Sequence, residues 1–256
     1  MSTLTSYTSG TRPTASSNSG LCIFRSDTNA IEVSDGTDWQ TYNSDGIFQA
    51  FSSNSYSGYF DGADHITIGD ITGLNGSSIM SFSCWFKFDG TPSSEGIIGG
   101  GTGASARFWV QVVNTTTIRF GTQSNINEYT VSTMSNGTWY HLACVMDGTT
   151  KSVYLDGNLA GSSTVTALSG DWADAVTIGR LPVPPFGSAN YYAGYLDELA
   201  LFDFALTSTE VNGIINNKLY PERIAFWRLE NDFTDNEGSY NGTNSGVTFS
   251  TSDKPY

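Results

Sequence analysis

From Tyr140 to Met146 the apolar positions Leu142, Cys144 and Met146 alternate with His141, Ala143 and Val145. A period of two is what a β-strand produces, because successive side chains point to opposite sheet faces. Both sets are fairly apolar, which predicts a strand inside a sheet. Asp147-Gly148-Thr149-Thr150 then supplies turn chemistry, since Asp bonds its own backbone and Gly accepts a positive φ. Val153 and Leu155 resume the alternation on a second strand, and Asp156-Gly157-Asn158 marks another tight turn. Phe82, Cys84, Phe86 and Phe88 form a further apolar face, with Ser81, Ser83, Trp85 and Lys87 pointing the other way. Two such sheets stacked about 10 Å apart cover each other's apolar faces. The period changes once: Thr207 caps, Glu210 completes a capping box, and Val211, Ile214, Ile215 and Leu219 follow at helical spacing until Pro221.

Outside these elements the pattern weakens. Residues 1–20 are nearly all Ser, Thr, Gly, Asn and Pro, with Arg12 the one charge, and read as an extended arm or linker. Residues 21–42 read as three tiny strands, Leu21–Phe24, Ile31–Val33 and Trp39–Tyr42. The glycine-rich run Gly96–Gly103 reads as a flexible loop; it lacks the Lys-Ser/Thr ending and following helix of a phosphate loop. The resulting division is an arm over 1–20, a small β attachment module over 21–50, a sandwich over 51–222, and a C-terminal segment over 223–256 that completes the sandwich edge.

Composition supports an all-β chain: 28 Gly, 15 Phe and 13 Tyr among 256 residues favour many short strands with frequent turns. Charge narrows the partners. Eleven Lys and Arg against 25 Asp and Glu give a formal −14, a field that repels phosphate backbones and anionic lipid, so neither nucleic-acid binding nor membrane insertion is expected. The opening residues lack the basic end and apolar run of a secretion signal, and no apolar stretch is long enough to span a bilayer, so synthesis in a cytoplasm is expected. Of the three cysteines, Cys84 and Cys144 read as small buried hydrophobes. A Cys84–Cys144 bridge is open if their strands are neighbours facing one side.

Two resemblances add to this reading. RP, then FRSDTN, then DG..W in the first 40 residues resemble a short module near the start of phage tail-fibre and other virion proteins. From Asn54 onward YSGYFDGADHITIG, SFSCWFKFDG, the hairpin with YLDG, VTIGR and YYAGYLDELALFDFALTSTEV follow in the order of laminin-G-like domains, which are concanavalin A-like jelly rolls. The resemblance implies an all-β jelly-roll sandwich with a small N-terminal β-meander and one short helix. IAFWRLENDFTDNEGSYNGTNSGVTFS (224–250) resembles the segment that normally opens such a domain, displaced here to its end. It is expected to pair back as an edge, or to add a strand to a neighbouring subunit.

Candidate chemistry is sparse. Sugar sites combine aromatic platforms with polar groups, and Trp109, Trp172, Tyr191 and Tyr192, near the stiff loop Pro182–Phe186, are the candidates. Asp61, Asp64, Asp147, Asp156 and Asp197 at loop ends offer hard oxygen ligands for calcium, which related lectin-like sandwiches bind. Glu230 and Asp232 are the nearest approach to the paired carboxylates of a glycosidase, and His65 and His141 form no persuasive triad with a serine. The sequence thus predicts a non-enzymatic phage virion protein, a capsid decoration or fibre component. Residues 1–42 are expected to hold other virion proteins. The sandwich is expected to face outward to stabilise the shell or adhere to host surface glycans, in a homo-oligomer with a trimer favoured. The alternatives are a free lectin and a glycosidase.

Overall fold

The computed structural model describes residues 5–7, 13, 14, 17, 22–25, 30–34, 39–42, 49, 50, 54–103, 106–122, 125–182, 188–217 and 219–256. Most of the arm expected over 1–20, and Val183–Phe186 of the stiff loop, lie outside these residues. The strands in chain order begin with β1 (Thr5–Tyr7), β2 (Cys22–Arg25), β3 (Ala30–Ser34), β4 (Trp39–Tyr42) and β5 (Gln49–Ala50). Next come β6 (Ser57–Asp61), β7 (His65–Gly69), β8 (Ile79–Phe88), β9 (Glu95–Gly103), β10 (Ala106–Asn114), β11 (Thr117–Thr122) and β12 (Asn125–Thr130). They are followed by β13 (Tyr140–Asp147), β14 (Thr150–Leu155), β15 (Asn158–Thr164), β16 (Val176–Ile178) and β17 (Ala193–Phe202). Helix α1 (Ser208–Asn217) precedes β18 (Leu219–Tyr220), β19 (Ala225–Trp227), β20 (Thr243–Ser245) and β21 (Thr248–Ser250).

The chain divides into two compact units, one of residues 1–53 with 209–222, the other of 54–208 with 223–256. In the first, β2, β3 and β4 form an antiparallel meander, and β1 adds a parallel strand from within the stretch read as an arm. Helix α1 and β18, which pairs with β5, group with this unit and not with the sandwich into which the sequence division placed them.

The second unit is a jelly-roll sandwich of two antiparallel sheets, as the alternation and the resemblance imply. The smaller sheet runs β12-β11-β10-β9-β16-β7-β20. The larger runs β15-β14-β13-β8-β17-β6-β21, with β19 beside β17. Phe60, Phe82, Cys84, Phe86 and Leu142 from the larger sheet meet Ile66, Ile98, Phe108, Val110 and Phe120 from the smaller in one buried core. Each such large side chain contributes about 1.5–3 kcal/mol by leaving water. Residues 223–256 pair within the chain: β19 with β17, β20 with β7, and β21 with β6.

β13 sits between β8 and β14, so both of its edges are hydrogen-bonded, and its side chains from His141 to Met146 are buried on both faces. The β13–β14 turn is Gly148-Thr149, with Gly148 at φ 60°. At the next turn Asp156 and Gly157 take φ 48° and 77°, the left-handed pair that a two-residue hairpin of matching twist needs. Cys84 lies opposite Leu142 and Cys144 opposite Phe82, so the thiols are diagonal neighbours. Both are buried and free, because diagonal positions, about 7–8 Å apart, exceed disulfide reach.

Gly96–Gly103 is not a loop but most of β9, inside the smaller sheet. Its glycines are required by close packing: a Cβ at Gly96 would lie 2.7 Å from Asn190 O, and one at Gly100 would lie 2.8 Å from both Phe108 and Val176.

Lys151 on β14 is fully buried. Its Nζ donates to Phe120 O (2.6 Å) and Asn125 O (3.2 Å) and lies 5.0 Å from the Phe120 ring centre, tying β14 of the larger sheet to β11 and β12 of the smaller. Burial, partly opposed by the nearby Cys144 thiol, pushes the amine down to about 8. Between that value and its ordinary 10.5 the unfolded chain holds more protons than the folded one, so this residue's contribution to stability rises with pH across the window. Relative to Lys151→Met, the wild type is expected to gain thermal stability from pH 8 to pH 10. Parallel melting curves that keep a constant gap would contradict the buried-amine assignment.

Candidate functional site

The polar side of β8 defines the most chemically distinctive surface. Because Phe82, Cys84, Phe86 and Phe88 take the core side, Ser81, Ser83, Trp85 and Lys87 must point to the outer face of the larger sheet. Register then sets their neighbours. Trp85 is flanked by His141 and Asp197, Lys87 by Tyr195, and Tyr195 in turn by Tyr59.

Two clusters share this face. In the first, the Lys87 ammonium sits 4.2 Å from the Tyr195 ring centre and 5.7 Å from that of Trp139. Tyr195 stacks at 4.9 Å on Tyr59 and 6.3 Å from Trp139. The segment after β21 crosses the face here. Asp253 Oδ2 pairs with Lys87 Nζ, its Oδ1 accepts from Trp139 Nε1 (3.2 Å), and its carbonyl accepts from Ser57 Oγ (2.5 Å). Burial, then the Asp253 carboxylate, raises the Tyr195 phenol above its ordinary value.

In the second cluster β17 carries one extra residue between Asp197 and Ala200 relative to β8, and Glu198 there takes φ 49°. Both carboxylates are fully buried. Asp197 Oδ2 accepts from Asn54 Nδ2 (2.7 Å) and its Oδ1 from the Glu198 amide (2.8 Å). Glu198 Oε1 accepts from Arg228 Nε at 3.2 Å and Nη2 at 3.3 Å. Tyr256 lies beside Glu198 and Asn54, with its ring 6.1 Å from Trp85. Burial above all, then the Glu198 charge, drives Asp197 well above the usual carboxylate range, against the pull of its two donors.

The residues singled out by sequence are dispersed. Trp172 is fully buried, donating Nε1 to Ser77 O (2.8 Å) and meeting Phe108 edge-on at 5.2 Å. Tyr192 is fully buried beside Phe60. Trp109, on the outer side of the smaller sheet, is buried at 4% exposure against Gly121, with the Arg107 guanidinium 5.1 Å from its ring centre. Half-buried Tyr191 meets His65 edge-on at 6.2 Å. The four therefore do not share one platform, and two have no exposed ring face.

The aspartates are likewise separate, and four of them accept from backbone amides. Asp61 Oδ1 caps Ala63 N (2.8 Å), Asp64 Oδ2 accepts from Asp61 N (3.1 Å), and Asp156 Oδ1 accepts from His141 N (2.8 Å). Burial raises both Asp64 and Asp156. Asp147 is exposed at the end of β13, and Asp197 is held as described. Among the described residues no three His, Cys, Asp or Glu side chains gather around a metal-sized point. Glu230 takes the Ser55 amide on both oxygens (2.9 and 3.0 Å), while exposed Asp232 bonds the amide and hydroxyl of Thr234. Both follow the end of β19 in an irregular stretch where Leu229 and Asn231 have positive φ, unlike carboxylates aligned along one strand.

Sequence reasoning placed Lys87 and Trp85 on a common face but missed Tyr59, Trp139, Tyr195 and Asp253 as their company. The available signal was the alternation itself, which sends Tyr59 and Tyr195 outward with Lys87.

A family model described as the concanavalin A-like lectin/glucanases superfamily matches residues 60–212. No curated protein matches the chain. Among solved structures, a candidate carbohydrate-binding protein from Bacteroides ovatus ATCC 8483 superposes with a TM-score of 0.63 at 17% identity, over 87% of this chain and 68% of that one. A heptameric pentraxin from Limulus polyphemus gives 0.60 at 18%, over 79% and 97%. Domain 4 of an extracellular arabinanase from Geobacillus stearothermophilus, in complex with arabinotriose, gives 0.52 at 20%, over 68% and 84%. At these identities the likeness is one of fold.

The buried Asp197 yields a test with a definite sign. Its folded-state value is raised, so its contribution to stability is present at low pH and is lost as pH rises through that value. Asp197→Asn, which Asn54 can accommodate by an amide flip, is expected to melt higher than wild type at pH 7. The gap should narrow as both are acidified toward pH 4, as measured by paired thermal melts; a wild type that gains on the variant with rising pH would refute the assignment.

Proposed function

The chain belongs to the concanavalin A-like lectin/glucanase superfamily, and on that premise we propose that it is a sugar-binding structural protein of a phage particle, a capsid decoration or fibre component. The observation that carries the sugar-binding half is the outer face of the larger sheet. There Tyr59, Tyr195 and Trp139 form a run of rings beside Lys87 and Ser57. Aromatic faces stack on the apolar side of a sugar ring, while fixed polar groups select its hydroxyls. The Bacteroides protein named for carbohydrate binding and the arabinotriose complex of the arabinanase domain support the reading by analogy.

The particle half rests on the RP, FRSDTN and DG..W features near the start of the chain. In this reading residues 1–42 dock on other virion proteins and the copies assemble as a trimer. The sandwich faces outward to stabilise the shell, adhere to host glycans, or both. In this reading the role is binding and not catalysis, and it requires no cofactor, with calcium left as an optional ligand.

The full chain is expected to retain specific glycans on an array. Tyr59→Ala and Tyr195→Ala should each weaken retention by at least about tenfold, equivalent to about 1.4 kcal/mol, while the melting temperature stays near wild type. An array on which nothing is retained would overturn the sugar-binding half. Mass spectrometry of purified particles is expected to find the chain in stoichiometric amounts, and its absence would leave a free lectin.

A further inference from the structure

On the sugar-binding reading above, the outer face also indicates which sugars are taken. Each oxygen of the Asp253 carboxylate has its own donor, Lys87 Nζ on one and Trp139 Nε1 on the other. Lys87 is only 7% exposed, and its ammonium is fixed over the Tyr195 ring and beside that of Trp139. This is a formed receptor for a carboxylate, bordered by the Tyr59 and Tyr195 rings on which a sugar can stack.

We propose that the Lys87–Trp139–Tyr195 pocket receives the carboxylate of an acidic pyranose, a uronic or sialic acid, and that Asp253 occupies the pocket in cis until such a ligand displaces it.

The occupying segment is built to leave. β21 ends at Ser250, and residues 251–256 form no strand. Asp253 is held by three contacts, to Lys87, Trp139 and Ser57, and Tyr256 rests beside Trp85, Glu198 and Asn54. Releasing these contacts opens no sheet ladder, so the opening is local. Displacement also sets specificity. Once Asp253 leaves, the Lys87 ammonium keeps its place over the Tyr195 ring and beside Trp139 but loses its counter-charge, and leaving such a fixed charge unpaired is unfavourable. A ligand carboxylate restores the pairing and a neutral sugar does not. An in-cis occupant lowers the apparent affinity by the fraction of molecules in which the pocket is open.

Titration calorimetry on the full chain would compare galacturonic acid and N-acetylneuraminic acid, each against its methyl ester, in wild type and Asp253→Ala. At least one acid is expected to bind, and which one does separates the uronic from the sialic source. Asp253→Ala should bind it about tenfold more tightly than wild type, and the esters should not bind. Lys87→Gln added to Asp253→Ala should abolish acid binding. Should that double variant not fold, nitrogen-15 spectra of the wild type supply an independent readout, in which the acid shifts the Trp139 indole and Asp253 amide signals and the ester does not. Equal affinity of wild type and Asp253→Ala, or of acid and ester, would overturn the proposal. Neutral glycans retained without acidic ones would sink this inference alone, whereas no glycan of either kind would sink the sugar-binding reading with it.

Discussion

The structure of the sandwich depends on the register of β8 between β13 and β17. Phe82, Cys84, Phe86 and Phe88 can enter the core only if the intervening residues leave it, because strand side chains alternate without exception within a regular pairing. A slip of one residue would turn Ser81, Ser83, Trp85 and Lys87 inward and take three phenylalanines and Cys84 out of the core, at a cost of about 1.5–3 kcal/mol for each ring. The core therefore fixes the outer face as firmly as it fixes itself. Tyr195 and Tyr59 stand beside Lys87 because the two strands next in order are held by the same burial.

The bulge in β17 is where that regularity is broken and recovered. One extra residue at Asp197–Ala200 lets Leu196, Leu199 and Leu201 all stay in the core, but it sets Glu198 at positive φ and buries two adjacent carboxylates. Backbone strain and buried like charges each raise the free energy of the fold. Asn54, from before β6, and Arg228, from after β19, offset them with hydrogen bonds and charge. Residues far apart in the chain thus converge on one defect, and this ties 223–256 to the sandwich more specifically than strand pairing alone. The same arrangement explains why the acidic pair in LDEL serves the scaffold: both Asp197 oxygens and Glu198 Oε1 are committed to groups that hold β17 in place.

Legibility in the sequence followed the side chains. β8, β13 and β14 announce themselves because alternating large and small groups display the period of two. β9 does not, since glycines at 96, 99 and 100 carry no side chain to alternate, and the neighbours that exclude a Cβ, such as Asn190 and Val176, are distant in sequence. The aromatics chosen for proximity along the chain misled for a related reason. Trp172 and Tyr192 flank a loop, yet both turn into the core, whereas the half-buried run of rings on the outer face draws Tyr59, Trp139 and Tyr195 from three separate stretches. Asp61 and Asp156, each beside a glycine, mark turns in which the carboxylate accepts from a backbone amide. The resemblance to laminin-G-like domains identified the sandwich because it depends on spaced motifs, which the core register preserves; it carried no comparable information about the outer face.

Charge gives the clearest reason to look at Lys87. The chain has 11 Lys and Arg against 25 Asp and Glu, yet Lys87, Lys151 and Arg223 are buried and Arg228 is nearly so. Arg223 and Arg228 pair with Glu237 and Glu198, the second pair joining a loop to β17, and Lys151 meets two carbonyl oxygens and the Phe120 ring, with burial weakening its amine. Drawing scarce cations inward leaves the surface field still more negative, so an acidic ligand is repelled at long range and attracted only on contact. Recognition of such a ligand must then rest on a cation already desolvated, oriented by rings and supplied with a second donor. Lys87 meets those conditions, and the carboxylate that now pairs with it is carried on a segment outside the sheets.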